Sequence, residues 1–385
     1  MKQNFELNIL ITGANGFLGK NLLYRLNELN NFSISTLTKS SSLTDSRKKI
    51  SEADFIFHLA GENRSERDAD FIENNHLLTK LICGTLLESK KTTPVVFSSS
   101  TQVKEKEEGI YGKTKLLAEK ELESLQKNNS NHIVILRLPG IFGKWSKPNY
   151  NSVVSTFCYK AANDEELEIH HRDTPLILCH VDDVIERLIS ILDDFSSKKE
   201  IISGIFEFDK TYSITIKELA SKIQRFSKNR ETQFLDKISS GFDKVLYSTF
   251  LSYLPKSKYH YSIDKNSDDR GIFTEFLKSE HFGQISFFTI NPGSIRGMHY
   301  HHQKIEKFLV LQGTGEFTFE DILTKERNVF VINEEDFKVI ETIPGLSHSI
   351  KNISDEKLIV LAYANEVFDK LNPDTYHYEI ENGKA

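Results

Sequence analysis

Cysteine, methionine and tryptophan are scarce in this chain of 385 residues, which contains three, two and one of them respectively. The cysteines are Cys83, Cys158 and Cys179, and they stand too far apart to form a metal-binding pattern. Isolated thiols of this kind are typical of buried side chains in proteins that remain in a reducing compartment. We therefore expect a cytoplasmic protein whose cysteines are buried thiols.

Long apolar runs and an excess of positive charge are absent too. No segment approaches the ~20 apolar residues that a membrane-spanning helix needs, and the formal net charge is −6. The composition therefore gives no reason to expect membrane insertion or binding to nucleic acid. The first predicted strand lies so close to Met1 that we also expect no signal peptide.

The chain is long, and its composition is that of a globular protein, with 38% hydrophobic and 27% charged residues. A chain of this length exceeds what one hydrophobic core normally organises, so we expect two domains. The predicted secondary structure agrees with two domains, because short alternating strands separated by glycine turns dominate from Asp268 onward.

A glycine-rich turn follows the first apolar run, Ile9–Ile11, which predicts a buried strand. The glycines recur at intervals of three and lead into a helix predicted over 17–29. A strand, a glycine turn and a helix N-terminus together let backbone N–H groups approach a pyrophosphate. We expect a dinucleotide cofactor to contact this segment at Gly13, Asn15, Gly16, Phe17, Leu18 and Gly19.

The second and third predicted strands bear on the choice of cofactor. In a dinucleotide-binding fold, a carboxylate at the end of the second strand holds the ribose 2′-hydroxyl of NAD. Here the strand predicted over 32–38 is followed by Lys39, which would attract a 2′-phosphate, so we favour NADPH over NADH. The alternative is that Lys39 is a solvated loop charge. The third strand, 53–61, ends at small residues, and we expect Leu59 and Ala60 to lie under the cofactor.

A tyrosine and a lysine four residues apart begin a helix predicted to run from Tyr111 to about Gln126. Residues at this spacing share one helix face, so Tyr111 and Lys115 are neighbours. A nearby ammonium stabilises a phenolate, which allows the phenol to exchange a proton with a carbinol oxygen while hydride moves. A serine hydroxyl from the preceding strand end, Ser100, would bond the same oxygen.

These motifs resemble the extended short-chain dehydrogenase/reductase family from Met1 to about Arg230. The resemblance implies catalytic roles for Ser100, Tyr111 and Lys115, with Ser99 and Thr101 as alternatives for the serine. It also implies that the segment 137–143, with Leu138, lies beside the nicotinamide. The motif 180–184 is implied to have a structural role, in packing and capping, and no part in the reaction. The interval between the serine and the tyrosine is shorter than in the epimerases of the family, which leaves the serine's position open.

The residues after the serine limit the types of reaction that the sequence predicts. Family members that dehydrate sugars carry an Asp-Glu pair at this point, because elimination of water needs its own acid and base. This chain has Thr101 and Gln102 there, so we expect ketone reduction or internal epimerisation and not dehydration.

The β-rich part contains four residues of the types that bind transition metals: His299, His301, Glu306 and His348. His299 and His301 are two apart on a predicted strand and would share one face, whereas His302 would point outward. Three imidazoles and a carboxylate suit a divalent metal, and we expect zinc. The two motifs and their spacing resemble the cupin superfamily from about Asp268 to Glu366.

A second resemblance implies a different role for His299. The segments 269–275 and 296–300 are similar to those of deoxysugar 3,5-epimerases, which are cupins that work without metal and use the corresponding histidine as a base. We favour His299 as a metal ligand because the other three ligands are present. The metal could stabilise an enolate or act as a structural tie, and the sequence leaves that choice open.

Taken together, the two halves resemble the CapF-type capsular polysaccharide enzymes over nearly the whole chain. The implied architecture is a Rossmann-type doubly wound α/β domain at 1–245, an interface helix and linker at 246–267, and an all-β cupin barrel at 268–385. The implied enzyme epimerises C3 of a UDP-linked 4-keto-6-deoxy amino sugar and reduces C4 with NADPH. Alternatives are a reductase with a structural or substrate-binding cupin and a non-catalytic NADP sensor. Both families imply a homodimer.

Overall fold

A computed structural model of the chain describes residues 7–104, 109–170 and 172–380. The first of two compact units comprises the chain up to Ile223 together with Val245–Leu254, and the second comprises Gln224–Lys244 together with the chain from Pro255. The stretch before the first strand and residues 105–108 of the shortened serine-to-tyrosine connection lie outside the described residues.

The elements of the first unit alternate between strands and helices. Its strands are β1 (Leu7–Thr12), β2 (Phe32–Leu37), β3 (Phe55–His58), β4 (Val95–Ser100), β5 (Ile133–Leu138), β6 (Gly140–Phe142), β7 (Pro175–His180), β8 (Gly204–Glu207) and β9 (Tyr212–Thr215). Its helices are α1 (Phe17–Leu29), α2 (Leu43–Glu52), α3 (Asp68–Phe71), α4 (Leu78–Ser89), α5 (Ile110–Asn129), α6 (Val153–Ala162) and α7 (Val181–Ser196). The chain passes between the units within α8 (Ile216–Thr232) and α9 (Gly241–Leu251).

The large sheet of the first unit has the strand order β2-β1-β3-β4-β5-β8, and its pairs are all parallel. The predicted doubly wound parallel sheet is therefore confirmed. The order reverses at β1, which lies between β2 and β3. In open α/β sheets, ligands bind outside the carboxyl ends of the strands at such a reversal. This rule places the candidate site at the ends of β1 and β3.

Alternate side chains of each central strand pack on opposite faces of this sheet. Ile9 and Ile11 of β1 join one core with residues of α1 and α7, whereas Leu10 joins the other core with residues of α2, α4 and α5. A strand buried on both faces reads as a continuous apolar run. That is why Ile9–Ile11 could be recognised as a parallel strand without any alternation. The three cysteines are buried thiols, as predicted.

Three predicted elements differ in detail from the structure. The strand predicted over 93–97 starts at Val95 and continues through the serines to Ser100, because its ladder with β5 extends that far. The helix predicted over 69–88 is interrupted by a π-helical turn at Ile72–Leu77. The helix predicted at 246–254 is α9, which starts at Gly241 and ends at Leu251.

The second unit is built from antiparallel strands. They are β10 (Asn266–Asp268), β11 (Gly271–Ser279), β12 (Gly283–Ile290), β13 (Ile295–Tyr300), β14 (Glu306–Gln312), β15 (Thr314–Asp321), β16 (Arg327–Asn333), β17 (Val339–Glu341), β18 (Leu346–Asn352), β19 (Leu358–Ala364) and β20 (Tyr376–His377). One sheet has the order β10-β11-β12-β19-β14-β17 and the other β16-β15-β18-β13-β20. Apolar residues of both sheets, among them Phe288, Phe308 and Phe317, share one core. The predicted all-β barrel is confirmed.

In the described part of the chain, every helix is too short or too polar to cross a bilayer.

The first glycine of the turn after β1 provides a direct test of this fold. Gly13 has φ = +72°, and a Cβ there would lie 2.7 Å from the backbone of Ala60. We expect Gly13→Ala to lower the free energy of unfolding by about 1–3 kcal/mol, because both the backbone conformation and the close approach become strained. Urea unfolding followed by circular dichroism measures the change.

Gly84→Ala is the matched control, because Gly84 lies in α4 and a Cβ there meets no atom within 4 Å. In a helix interior this substitution should stabilise the protein by roughly 0.5–1 kcal/mol. Equal unfolding midpoints for the two variants would contradict the described turn.

Candidate functional site

The glycine turn leads directly into α1. The backbone N–H of Gly16 donates to the carbonyl of Gly13 at 2.8 Å, and Gly16 is the N-cap of the helix. Among the described residues, no side chain caps this helix, and its first turn carries no acidic residue. The first N–H groups of α1 are therefore suited to an anion such as a pyrophosphate. Of the other predicted contacts, Asn15 is exposed, while Leu18 is buried in the core.

A chain of buried hydrogen bonds lies beneath this turn, and the sequence analysis missed it. The Thr79 hydroxyl donates to the Asn75 carbonyl at 2.7 Å and lies 2.8 Å from Nε2 of His58. Because that hydroxyl proton is already used, Nε2 of His58 carries the hydrogen, and its Nδ1 accepts from the Thr12 hydroxyl at 2.8 Å. Thr12 in turn accepts from the Ala60 N–H at 3.1 Å. Burial, with a smaller contribution from Lys115, lowers the pKa of His58 to about 3, which keeps the ring neutral.

The π-helical turn carries Asn75, whose side chain is completely buried. Its Nδ2 donates to the Glu62 carbonyl and to the Thr114 hydroxyl, both at 3.0 Å, and its Oδ1 accepts from the Glu62 N–H at 2.7 Å. The amide therefore ties the segment after β3 to α5, next to Lys115. π-Turns inside α-helices are frequent at functional sites, but the helical periodicity of the sequence gave no sign of this one.

Ser100, Tyr111 and Lys115 come together at the carboxyl end of β4. The Ser100 side chain lies close enough to the Tyr111 hydroxyl to lower the pKa of the phenol. One turn along α5, the Lys115 ammonium donates to the Ser98 carbonyl at 2.8 Å and lies 4.6 Å from the centroid of the Phe97 ring. This is the arrangement that the sequence motif predicted.

Burial changes the acidity of both titrating groups. It raises the pKa of Tyr111, and the hydrogen bond from Ser100 only partly offsets the rise. It lowers the pKa of Lys115 to about 8, although the Glu119 carboxylate acts in the opposite direction. At neutral pH the phenol therefore holds its proton and most of the lysine remains charged, as proton donation to a new alkoxide requires.

The structure separates Ser100 from its two alternatives. The Ser99 hydroxyl donates to Glu119 at 2.5 Å, and the same carboxylate accepts hydrogen bonds from Arg137 at 2.6 and 3.1 Å. Ser99 is thus part of a buried ion-pair network. Thr101 begins a short 3₁₀ turn, Thr101–Lys104. Ser100 is the member of the trio that contacts Tyr111.

The remaining residues predicted to contact the cofactor lie in different surroundings. The Ala60 backbone lies directly against Gly13. Leu138 belongs to the core between the sheet and α1, and Leu59 packs against that core. Lys39 is three-quarters exposed, and its ammonium lies 2.9 Å from the Glu62 carboxylate. Any 2′-phosphate would therefore compete with Glu62 for Lys39.

In the second unit, the four predicted metal-binding side chains form one cluster, and their ligand atoms all lie within 4.8 Å of one another. Glu306 Oε2 is 3.2 Å from Nε2 of His301, 3.4 Å from Nε2 of His348 and 4.0 Å from Nε2 of His299. Both sheets contribute, because Glu306 begins β14 whereas His348 belongs to β18. One detail of the prediction is wrong: His301 lies just after β13. His302 is exposed, as expected.

The donor atoms of this cluster suit a transition metal. Nδ1 of His301 donates to the Asp374 carbonyl at 2.5 Å, which leaves Nε2 with a lone pair toward the cluster. Burial lowers the pKa of His348, which favours the neutral ring that a metal needs. Burial alone would raise the pKa of Glu306, but the three imidazoles that contact it and the nearby Lys304 ammonium hold the pKa well below its usual value. Neutral imidazoles around a carboxylate are a donor set for zinc and similar ions.

The cluster opens into a cavity of about 380 Å³. Charged side chains line this cavity together with aromatic and aliphatic residues. The charged residues include Arg270, Glu275, Arg296, Lys304 and Glu366. A cavity of this size and mixed character is suited to a small polar ligand.

Comparison with known proteins gives matches to both halves of the chain. The NAD dependent epimerase/dehydratase family matches residues 9–203, and the polysaccharide biosynthesis C-terminal domain matches residues 266–376. A spore coat polysaccharide biosynthesis protein, SpsL of Bacillus subtilis, is 28% identical over 120 residues, which cover 29% of this chain and 80% of that protein.

Two similar proteins extend over nearly the whole chain. A UDP-2-acetamido-2,6-beta-L-arabino-hexul-4-ose reductase of Pseudomonas aeruginosa is 38% identical over 377 residues, which cover 98% of this chain and all of that protein. The crystal structure of the capsular polysaccharide assembling protein CapF of Staphylococcus aureus has a TM-score of 0.86 and 34% identity, and the match covers 97% of this chain and all of that one. These findings confirm the predicted CapF-type resemblance. The chain belongs to the NAD dependent epimerase/dehydratase family, in the CapF-type arrangement that adds a polysaccharide biosynthesis C-terminal domain.

Proposed function

We propose that this chain is a bifunctional nucleotide-sugar enzyme of capsular or O-antigen polysaccharide synthesis. The second unit epimerises C3 of UDP-2-acetamido-2,6-dideoxy-hexos-4-ulose, and the first unit reduces the C4 ketone with NADPH. The product is UDP-2-acetamido-2,6-dideoxy-L-talose, on the way to UDP-N-acetyl-L-fucosamine. The P. aeruginosa relative, named as a reductase of a UDP-linked 4-keto sugar, supports this substrate. The cytoplasmic location and the homodimer stay predictions.

The contact between Tyr111 and Ser100, with the Lys115 ammonium one turn away, is the observation that carries the reductase function. A bound nicotinamide would supply hydride to C4 of the ketone. Tyr111 then gives its phenolic proton to the oxygen at C4, and Ser100 bonds the same oxygen. The positive charge of Lys115 stabilises the phenolate that is left behind. Thr101 and Gln102 offer no carboxylate for elimination of water, which agrees with a net reduction.

The cluster in the second unit supports the epimerase part. A divalent metal, which we expect to be zinc, would be held by His299, His301, Glu306 and His348. When bound, it would either stabilise negative charge on the ketone oxygen as a Lewis acid or stabilise the fold of the barrel. The adjoining cavity has room for a sugar and contains the charged groups that its polar atoms need.

The order of the two reactions follows from the chemistry of the ketone. The C4 carbonyl acidifies the hydrogen at C3, so C3 can exchange only while the ketone is present. Reduction removes the ketone and therefore prevents the product from epimerising back. A chain that contains both functions gains directionality from this order.

Replacement of Tyr111 by Phe should separate the two activities. The variant lacks the phenolic proton, so we expect NADPH oxidation with the 4-keto sugar to fall by roughly 10²–10⁴-fold. Deuterium incorporation at C3 in deuterated water should continue at the wild-type rate, since the second unit is unchanged. Absorbance at 340 nm and product NMR measure the two reactions.

Tyr24→Phe serves as the control, because Tyr24 is an exposed residue of α1 and its loss should leave both reactions unchanged. Wild-type rates of NADPH oxidation in the Tyr111→Phe variant would overturn the reductase assignment. A sensor without catalytic activity would show no NADPH oxidation in the wild-type protein either.

Lys39 provides a test of cofactor choice. If its ammonium binds a 2′-phosphate, Lys39→Ala should raise the KM for NADPH by roughly tenfold and leave the KM for NADH nearly unchanged. Lys80→Ala, an exposed cation in α4, should change neither value. Equal effects of Lys39→Ala on both cofactors would show that Lys39 is a surface charge that pairs only with Glu62.

Metal content tests the cluster independently of activity. We expect the purified protein to hold about one zinc ion per chain, and His301→Ala to lose it, because the imidazole supplies a ligand that no neighbour replaces. His302→Ala is a close control, since this adjacent histidine is exposed. Elemental analysis and calorimetric titration with zinc give the measurements. A wild-type protein that takes up no divalent metal, or equal loss in both variants, would contradict the metal site.

A further inference from the structure

Lys304 places an ammonium in the wall of the cavity of the second unit. The residue is only 8% exposed, and its Nζ lies 3.2 Å from Glu306 Oε1 and 5.9 Å from the centroid of the Phe368 ring. Within residues 255–380, which the structure describes, Glu306 is the polar partner of this ammonium. An ammonium has three N–H donors, and buried donors without acceptors are costly. An oxygen atom of a ligand in the cavity would accept from one of the two donors that do not face Glu306.

The backbone that carries Lys304 is held firmly. One carboxylate, that of Asp374, accepts from three successive N–H groups: His302 at 2.9 Å, Gln303 at 2.7 Å and Lys304 at 2.7 Å. The carbonyl of Asp374 also accepts from His301. The same residue therefore fixes the turn after β13 and the start of the Lys304 side chain, so the ammonium is positioned before any ligand binds.

The two arginines that line the cavity share one carboxylate. Arg270 and Arg296 both pair with Asp268, at 2.6 and 3.2 Å, so one positive charge of the two is not compensated there. Lys304 differs from them in its position, because its partner Glu306 belongs to the histidine cluster and only Oε1 of Glu306 faces the ammonium. The ammonium therefore has N–H donors available for a substrate that binds beside the cluster.

We propose that Lys304 is a catalytic residue of the C3 epimerisation, in which its ammonium donates a hydrogen bond to the C4 oxygen and stabilises the enolate. This inference rests on the proposed epimerase function. The C3–H bond breaks, its proton passes to a carboxylate in the cavity such as Glu275 or Glu366, and the electron pair forms the C3=C4 bond. The negative charge then lies on the C4 oxygen. Protonation of C3 from the other face restores the ketone, so no oxidant or reductant is consumed.

The test measures deuterium entry at C3 of the 4-keto sugar in deuterated water, with the full-length enzyme and without NADPH. Lys304→Met keeps the length of the side chain but removes its charge. We expect the exchange rate to fall by about 10²–10³-fold, the usual effect of removing one donor that stabilises a developing oxyanion. Lys304→Arg keeps the charge and should retain at least roughly a tenth of the wild-type rate.

Lys307→Met is the matched control. Lys307 follows Glu306 on β14, but it pairs with Glu341 on the outer side and does not line the cavity. The charge change is the same and the position is three residues away, so the exchange rate should stay within about threefold of the wild type. Metal content and melting temperature are measured for every variant.

The outcomes distinguish the role of Lys304 from the epimerase function itself. Exchange in Lys304→Met within threefold of the wild type would overturn the role of Lys304. A loss of exchange together with a loss of metal would also overturn it, because Lys304 would then act only through Glu306. If Lys304→Met does not fold, Lys304→Gln replaces it in the same comparison. If the wild-type enzyme exchanges no C3 hydrogen, the epimerase function itself is wrong.

Discussion

The first unit depends on the burial of one ammonium group. Lys115 is 3% exposed. Its ammonium donates a hydrogen bond to the Ser98 carbonyl and lies over the face of the Phe97 ring. Gly61 lies opposite the ammonium, and a Cβ there would lie 2.9 Å from it and would displace it. Burying a cation away from water costs free energy, and this cost falls when an anion forms next to the cation. The phenolate of Tyr111 that reduction creates is such an anion.

Much of this unit was predictable because local sequence spacing sets it. The glycine turn, the four-residue interval from Tyr111 to Lys115 and the apolar strands each follow from periodicity. The hydrogen bonds from Thr12 through His58 to Thr79 join three separate segments, and the π-turn at Asn75 leaves the helical pattern almost unchanged. Contacts of this kind depend on tertiary packing, so one sequence does not reveal them.

The barrel also combines features that the sequence predicts with contacts that it does not reveal. Alternation predicted that His299 and His301 share a face, and in the structure both lie in one cluster with Glu306 and His348. The local geometry is less regular, because the register shifts between Gly297 and His299, where Met298 has φ = +63°. The contact of His301 with Asp374 spans 73 residues. A half-buried aspartate in a polar C-terminal segment gives no sequence signal for such a contact.

The two proposed reactions use the same ketone, so the origin of each hydrogen in the product distinguishes them. The most direct measurement supplies the 4-keto sugar and NADPH that carries deuterium at the transferable position of the nicotinamide, in ordinary water, and locates the label by NMR. We expect one deuterium at C4 of the product and none at C3. Product without deuterium at C4, or no product at all, would contradict the assignment of Tyr111 and Lys115 to a hydride transfer.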